Sequence, residues 1–409
     1  MSESVALAVH KCAFTGWMPS AIHALATRPD GKVVAVGRAD GDIELTVPME
    51  GYRVEARIPG ISGKSLRSLV WTKGEEGAEN NGGETREGGA GTARPSTARL
   101  FGCGLDGVLF EVDLLRLCYK NVRESYGGAV WCMAAATSRP QLAVGCEDGT
   151  IKLFSTKDGL EYEKTFPKTN TRVLSVTWGL EDDVIFAGCS NSLVHCYEAS
   201  SGQSLFDMRL EGIKKKDTLV WALEGLPDGT VVSGDSEGRV QARSTSTVWD
   251  QLSGTQQQSL VTHQADVLTL CVSSDGTRLF CSGMDGKVVC LDRVRPTHAS
   301  PPEDDSGNGE SDLPLEDENK KNPAVAGWGA GWGGFRGEWT VGSMQRQHTH
   351  DVLALALHPG MEDRVGGNGV SGKKGSARRG EMLVSGGVDT SLCLYSVEGF
   401  NKHVRLCQK

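Results

Sequence analysis

His348 and His350 stand one residue apart and are followed at once by Asp351. On a strand, residues i and i+2 share a face, so two imidazoles with a carboxylate beside them have the makings of a divalent-metal site. Cys146 and Cys189 raise the same question. Each follows a glycine and lies two residues before a turn residue, Asp148 or Asn191, one repeat apart. They are therefore one apolar core position seen twice and not a cluster. Phosphate chemistry fails on spacing. Gly63-Lys64-Ser65 has the ending of a phosphate-binding loop, yet Ile58 stands where the first glycine is needed. Gly367 to Gly372 followed by Lys373 has the glycine spacing, but Lys374 replaces the hydroxyl residue that would hold magnesium. No G-x-S-x-G or H-E-x-x-H occurs. The residues argue against an enzyme, a bound metal and any other cofactor, and assign the histidines to a structural frame.

That frame must come from 409 residues, 38% of them apolar, which is enough for a large core. The formal charge of −9 gives no basic footprint for a stand-alone nucleic-acid binder, so RNA contact has to be local or shared. Twelve cysteines without a C-x-x-C pair fit a reducing compartment. No window approaches 18 uncharged apolar residues, and Met1 to Lys11 lacks a basic segment followed by a long apolar run, which argues against spanning and secretion.

One pattern recurs seven times: a short apolar run, a turn with Asp-Gly or a substitute, then alternating apolar residues. The turn residues are Asp40, Asp106, Asp148, Asn191, Glu237, Asp285 and Asp389. They lie 66, 42, 43, 46, 48 and 104 positions apart, so the basic period is about 42 or 43. Asp-Gly between alternating segments is a hairpin signal, because these residues tolerate the positive φ that tight hairpins need. Further strands are predicted upstream at Val130 to Ala134, Val173 to Trp178, Leu219 to Leu223, Val267 to Val272 and Val352 to Leu357. The expected fold is all-β, a seven-bladed WD40-type β-propeller. The last repeat carries the fullest hydrogen-bonded set of such a blade, His348, Ser385, Asp389 and Tyr395, with Tyr in place of the usual Trp. His263 precedes Val267 by the same four residues as His348 precedes Val352.

A single propeller is expected over residues 4–409, with the surplus length in loops or disordered segments at 74–97, 242–247, 296–337 and 361–380; the six residues at 242–247 equally allow a strand that absorbs them in register or a bulged loop. Pro296 to Lys321 holds eight acidic residues against two lysines and so supplies most of the net charge. Gly327 to Phe335 sets Trp328, Trp332 and Phe335 among glycines: a stacking platform, a short docking motif or an inert insert. Lys373, Lys374, Arg378 and Arg379 read as an import signal, an RNA-brushing patch or solvated charge. Lys214, Lys215 and Lys216, beside Arg209, form the local basic spot for RNA or an acidic partner. The ring can close through Val5 to Phe14 or through the tail, Lys402 to Cys407.

Gly127 to Phe154 (GGAVWCMAAATSRPQLAVGCEDGTIKLF) resembles the third blade of cirhin, the U3 small nucleolar RNA-associated protein 4 family of the small-subunit processome. Val9 to Leu25, Lys215 to Gln241 and Trp339 to Val352 match in order and spacing. The resemblance implies a non-enzymatic nucleolar and nuclear scaffold that supports 18S rRNA maturation, with a link to rDNA transcription. It also implies other processome WD40 proteins and the 5′ external spacer of pre-rRNA as partners, with no membrane and no small-molecule substrate. The resemblance also implies a second propeller in family members, which is expected to be missing here because the sequence stops at Lys409 soon after the seventh repeat, as a truncated or shortened form would. The rival reading is a substrate receptor of a cullin-type ubiquitin ligase. Such receptors tend to show Trp-Asp-x-Arg, whereas Trp249-Asp250-Gln251 is followed here by Leu252.

Overall fold

The computed structural model describes residues 20–61, 64–72, 98–210, 217–226, 228–244, 247–248, 251–252, 255–294, 338–359, 380–400 and 403–404. Seven four-stranded antiparallel sheets follow one another along the chain, and each runs in simple order from innermost to outermost strand. The innermost strands are Ile22–Thr27, Ser68–Thr72, Val130–Ala135, Val173–Trp178, Val220–Gly225, Val267–Val272 and Val352–His358. Each touches the innermost strands on either side, including the first against the seventh, so the sheets form a closed seven-bladed ring. Closure removes the exposed inner edges that an open array of strands would leave for aggregation.

Each of the seven turn signals joins the second and third strands of a blade. The residue directly after the turn acid or amide has positive φ: Gly41, Gly107, Gly149, Gly238 and Gly286, but also Ser192 and Thr390. A β-branched side chain is strained there, because its Cβ crowds the backbone in the left-handed region. Thr390→Gly is therefore expected to stabilise the chain by about 1 kcal/mol, read as a higher urea midpoint with an unchanged slope.

Seven apolar clusters fill the seven spaces between blades, one each. Leu279, Cys281, Val289 and Leu291 of the sixth blade pack toward the fifth, while Phe280, Val288 and Cys290 pack toward the seventh. Alternate residues of one strand thus serve two interfaces, which is why the second strands read as unbroken apolar runs instead of polar-apolar alternations. Burying a side chain such as Phe280 contributes about 2–3 kcal/mol. Close approach between blades uses a recurring glycine. A Cβ on Gly145, Gly188, Gly234 or Gly386 would lie 2.4–2.7 Å from Val173, Val220, Val267 or Ile22, the first residue of the next innermost strand.

Two alternatives that the sequence left open are narrowed here. At 242–247 the strand continues through Ser244. Ala242 to Ser244 complete the third strand of the fifth blade, Arg239–Ser244, whose ladder with Thr255–Val261 continues to its end. The surplus sits beyond it, where Thr247–Val248 pairs with Gln251–Leu252 in a short hairpin. Keeping the ladder preserves the inward apolar face at Val240 and Ala242, which a loop would have removed from the core. The alternative at ring closure is also resolved in part. His403–Val404 pairs with Tyr395 and Leu394 as the outer strand of the seventh blade, while residues 5–14 lie outside the described residues. So do the insertions 74–97 and 296–337, nearly all of 361–380, and Trp249-Asp250.

Candidate functional site

The four residues singled out in the last repeat come together. His348 sits on the connection entering the seventh blade, Ser385 on its second strand, Asp389 in its turn and Tyr395 on its third strand. The His348 Nδ1 hydrogen goes to Asp389 Oδ1 at 2.9 Å, which leaves Nε2 to accept from Ser385 Oγ at 2.7 Å. Ser385 Oγ lies 3.4 Å from the Tyr395 hydroxyl. Both imidazole nitrogens are thereby used, so His348 has none left for a metal. Among the described residues no three His, Cys, Asp or Glu side chains converge as a metal set would.

His263 repeats the arrangement in the sixth blade, with Asp285 Oδ1 at 2.9 Å and Cys281 Sγ at 3.3 Å. There the third strand offers Leu291 where the seventh blade has Tyr395. Among the described residues Asp148 has no histidine partner and accepts only from Thr150, its backbone N–H at 3.0 Å and its hydroxyl at 2.7 Å. Cys146 and Cys189 lie at the matching ends of two second strands, in two different inter-blade cores. Lys214, Lys215 and Lys216 lie outside the described residues.

A second constellation was not singled out from the sequence. The second residue of each innermost strand, or the residue just ahead of it in the second blade, lines one mouth of the axial channel. These are His23, Arg67, Trp131, Leu174, Trp221, Leu268 and Leu353, around a cavity of about 320 Å3. Trp131 and Trp221 are tilted against each other with centroids 6.2 Å apart. Their indole N–H groups are already committed, Trp131 to Glu147 and Trp221 to Asp266 Oδ2 at 2.7 Å. The Arg67 guanidinium lies 5.9 Å from the Trp131 ring centroid, a cation over an aromatic face. Burial lowers the His23 pKa, and its Nδ1 is held 3.0 Å from the Leu66 carbonyl. The signal existed in the repeat. Val130-Trp131 and Val220-Trp221 occupy the same position in two blades, but the pattern carries Leu or His elsewhere and so reads as core.

Toward the opposite end, Glu224 lines the same channel and a recess of about 300 Å3 shared with Ala134, Thr177 and Trp178. Burial alone lifts its carboxyl from the ordinary 4.5 to about 7. A carboxyl whose folded pKa is raised favours folding fully below about 4.5 and loses that contribution as pH climbs through 7. Glu224→Gln is therefore expected to raise the urea midpoint at pH 8 and to leave it almost unchanged at pH 4. The gain should be about 1–2 kcal/mol, since channel water screens part of the full shift.

The WD domain, G-beta repeat model matches residues 118–155 and 254–292. The chain is 31% identical over 297 residues to the human protein named U3 small nucleolar RNA-associated protein 4 homolog, covering 71% of this chain and 39% of that one. It is 27% identical over 409 residues to U3 small nucleolar RNA-associated protein 4 of Schizosaccharomyces pombe, covering 96% and 46%. With the Saccharomyces cerevisiae protein of that name it is 29% identical over 419 residues, covering 98% and 44%. The chain spans less than half the length of the curated relatives it matches.

Proposed function

The chain belongs to the U3 small nucleolar RNA-associated protein 4 family, and on that premise we propose that it is a non-enzymatic scaffold of the small-subunit processome, supporting pre-rRNA processing and 18S rRNA maturation. One observation carries the reading: similarity to relatives of that name runs along nearly the whole chain, through all seven blades. The physical character of the disc supports it. A rigid ring with loops on two faces presents several surfaces at fixed angles, which is what an assembly platform requires. Its place is the nucleolus of the nucleus. Its partners are other WD40 proteins of the assembly, with the 5′ external spacer of pre-rRNA bound directly or through them. One propeller over residues 4–409 is the unit proposed to enter the assembly.

Affinity purification of the tagged chain from its own cells, with mass spectrometry and sequencing of bound RNA, tests this. Processome WD40 proteins with 5′ spacer RNA are the expected recovery. A cullin adaptor in their place, or neither, overturns it.

Lys214, Lys215 and Lys216 are proposed to meet RNA phosphate or an acidic partner. Replacing all three with alanine should lower the slope of log binding constant against log salt for spacer RNA by roughly 2–3. An unchanged slope removes these lysines from the interface.

A further inference from the structure

Arg67 is the unsatisfied group of the axial channel. It stands just ahead of the innermost strand of the second blade, tied by its own N–H to the Cys103 carbonyl at 2.8 Å. Among the described residues no carboxylate or carbonyl accepts from its guanidinium. Arg38, Arg99 and Arg293, by contrast, are paired with Glu44, Glu111 and Asp228. Burial lowers the pKa of Arg67, opposed only by the Cys132 and Cys103 thiols, so the half-buried cation is partly withheld from bulk water at a cost. Arg67 lines the channel beside Trp131, whose face flattens one side of the opening and whose N–H is already spent on Glu147. Leu174, Leu268 and Leu353 make the far wall apolar.

We propose that this mouth receives the carboxylate of an acidic side chain from an extended partner peptide, which seats against Arg67 between Trp131 and the leucine wall. A guanidinium fork matches a carboxylate in two parallel hydrogen bonds, and the partly dehydrated setting makes that pair stronger than one on an open surface. Glu147 and Asp266 sit at the rim beside the two tryptophans. A peptide presents one carboxylate between uncharged neighbours and avoids those acids, whereas an RNA strand would carry successive phosphates past them. RNA affinity also rests on several neutralised phosphates, and the mouth offers one unpaired arginine.

The test uses the full chain and a fluorescein-labelled decapeptide with one central glutamate among glycine and serine residues, with the same peptide carrying glutamine at that position as control. Anisotropy at low salt should show the glutamate peptide bound at least tenfold more tightly than the glutamine one. Arg67→Gln should abolish the difference, and Arg67→Lys should restore only part of it, because an ammonium lacks the planar fork. Lys168→Gln, which removes one exposed positive charge elsewhere, should leave it intact. If Arg67→Gln fails to fold, the indole N–H resonances of Trp131 and Trp221 in the unaltered chain provide the second readout. They should shift on addition of the glutamate peptide and stay in place with the glutamine one. Equal binding of the two peptides, an intact preference in Arg67→Gln, or unshifted indoles overturns the proposal. So does a decauridylate that binds tightly and depends on Arg67 while the glutamate peptide does not. None of these outcomes depends on processome membership.

Discussion

Replacing Glu44 with alanine is expected to cost about 3–5 kcal/mol of stability, because it strands the buried Arg38 guanidinium. Glu44 lies on the third strand of the first blade and Arg38 at the end of the second, with both side chains almost wholly buried. Arg38 Nε and Nη2 donate to one oxygen of Glu44, at 3.1 and 2.9 Å. Its Nη1 donates to the Ser20 carbonyl at 2.8 Å and to the Thr390 carbonyl at 3.4 Å. The last of these ties the first blade to the turn of the seventh, across 352 residues of chain, so the pair sits on the seam that closes the ring. His358 adds a second polar tie there by donating to the Gly31 carbonyl. Ile22, Val34 and Val36 share an apolar cluster with Ala354, Val384 and Leu394 across the same seam. Urea denaturation should show a lower midpoint with the slope retained. The double replacement Arg38→Met with Glu44→Leu should recover most of the loss, since exchanging both charges for apolar groups leaves neither uncompensated. A single variant within about 1 kcal/mol of the unaltered chain would mean that water reaches the pair and that the seam is held by its apolar contacts alone.

Asp389→Ala is expected to destabilise by about 3 kcal/mol, whereas Asp148→Ala, at the same repeat position, should cost about 1 kcal/mol. The difference lies in what each carboxylate holds. Asp389 accepts from His348, from the Thr349 N–H at 3.0 Å and from the Ser391 N–H at 3.2 Å, and through His348 it organises Ser385 and Tyr395. Without it a fully buried imidazole loses its acceptor, and the connection between the sixth and seventh blades comes loose from the turn. Asp148 caps only its own turn. Acid unfolding supplies the independent check. Desolvation pushes the Asp389 carboxyl up, but the hydrogen bond from His348, with those from Thr349 and Ser391, outweighs it and holds the pKa below the ordinary 3.8. A carboxylate depressed in this way stabilises the fold above 3.8 and loses that contribution as pH falls through its folded value. Asp389→Ala should therefore have a shallower acid limb than the unaltered chain. Equal losses for the two aspartates would show that His348 is not the element that makes the seventh blade different.

The repeat was legible from residues within one period of each other. Asp-Gly turns and strand alternation act over a few positions, and His348, Ser385, Asp389 and Tyr395 meet within the seventh blade and the connection that enters it. Strand position was equally legible, and Val173–Trp178 and Val267–Val272 lie where the apolar runs place them. The fifth blade shows the limit of such local reading. Six surplus residues left a lengthened strand and a bulged loop equally open, and the demands of the neighbouring interface on Val240 and Ala242 kept the strand intact and moved the surplus into a hairpin. The axial mouth lay beyond local reading altogether. Arg67, Trp131 and Trp221 come from three blades, and each resembles an ordinary strand residue until the ring aligns them on one rim. The seam is the same case, since Arg38 meets Thr390 only once the circle has closed. A sequence with a period determines by itself what happens inside one period, through turn chemistry and alternating burial. Which residues meet across the circle is decided by closure, because only the complete ring sets the distance between positions that the chain separates by hundreds of residues.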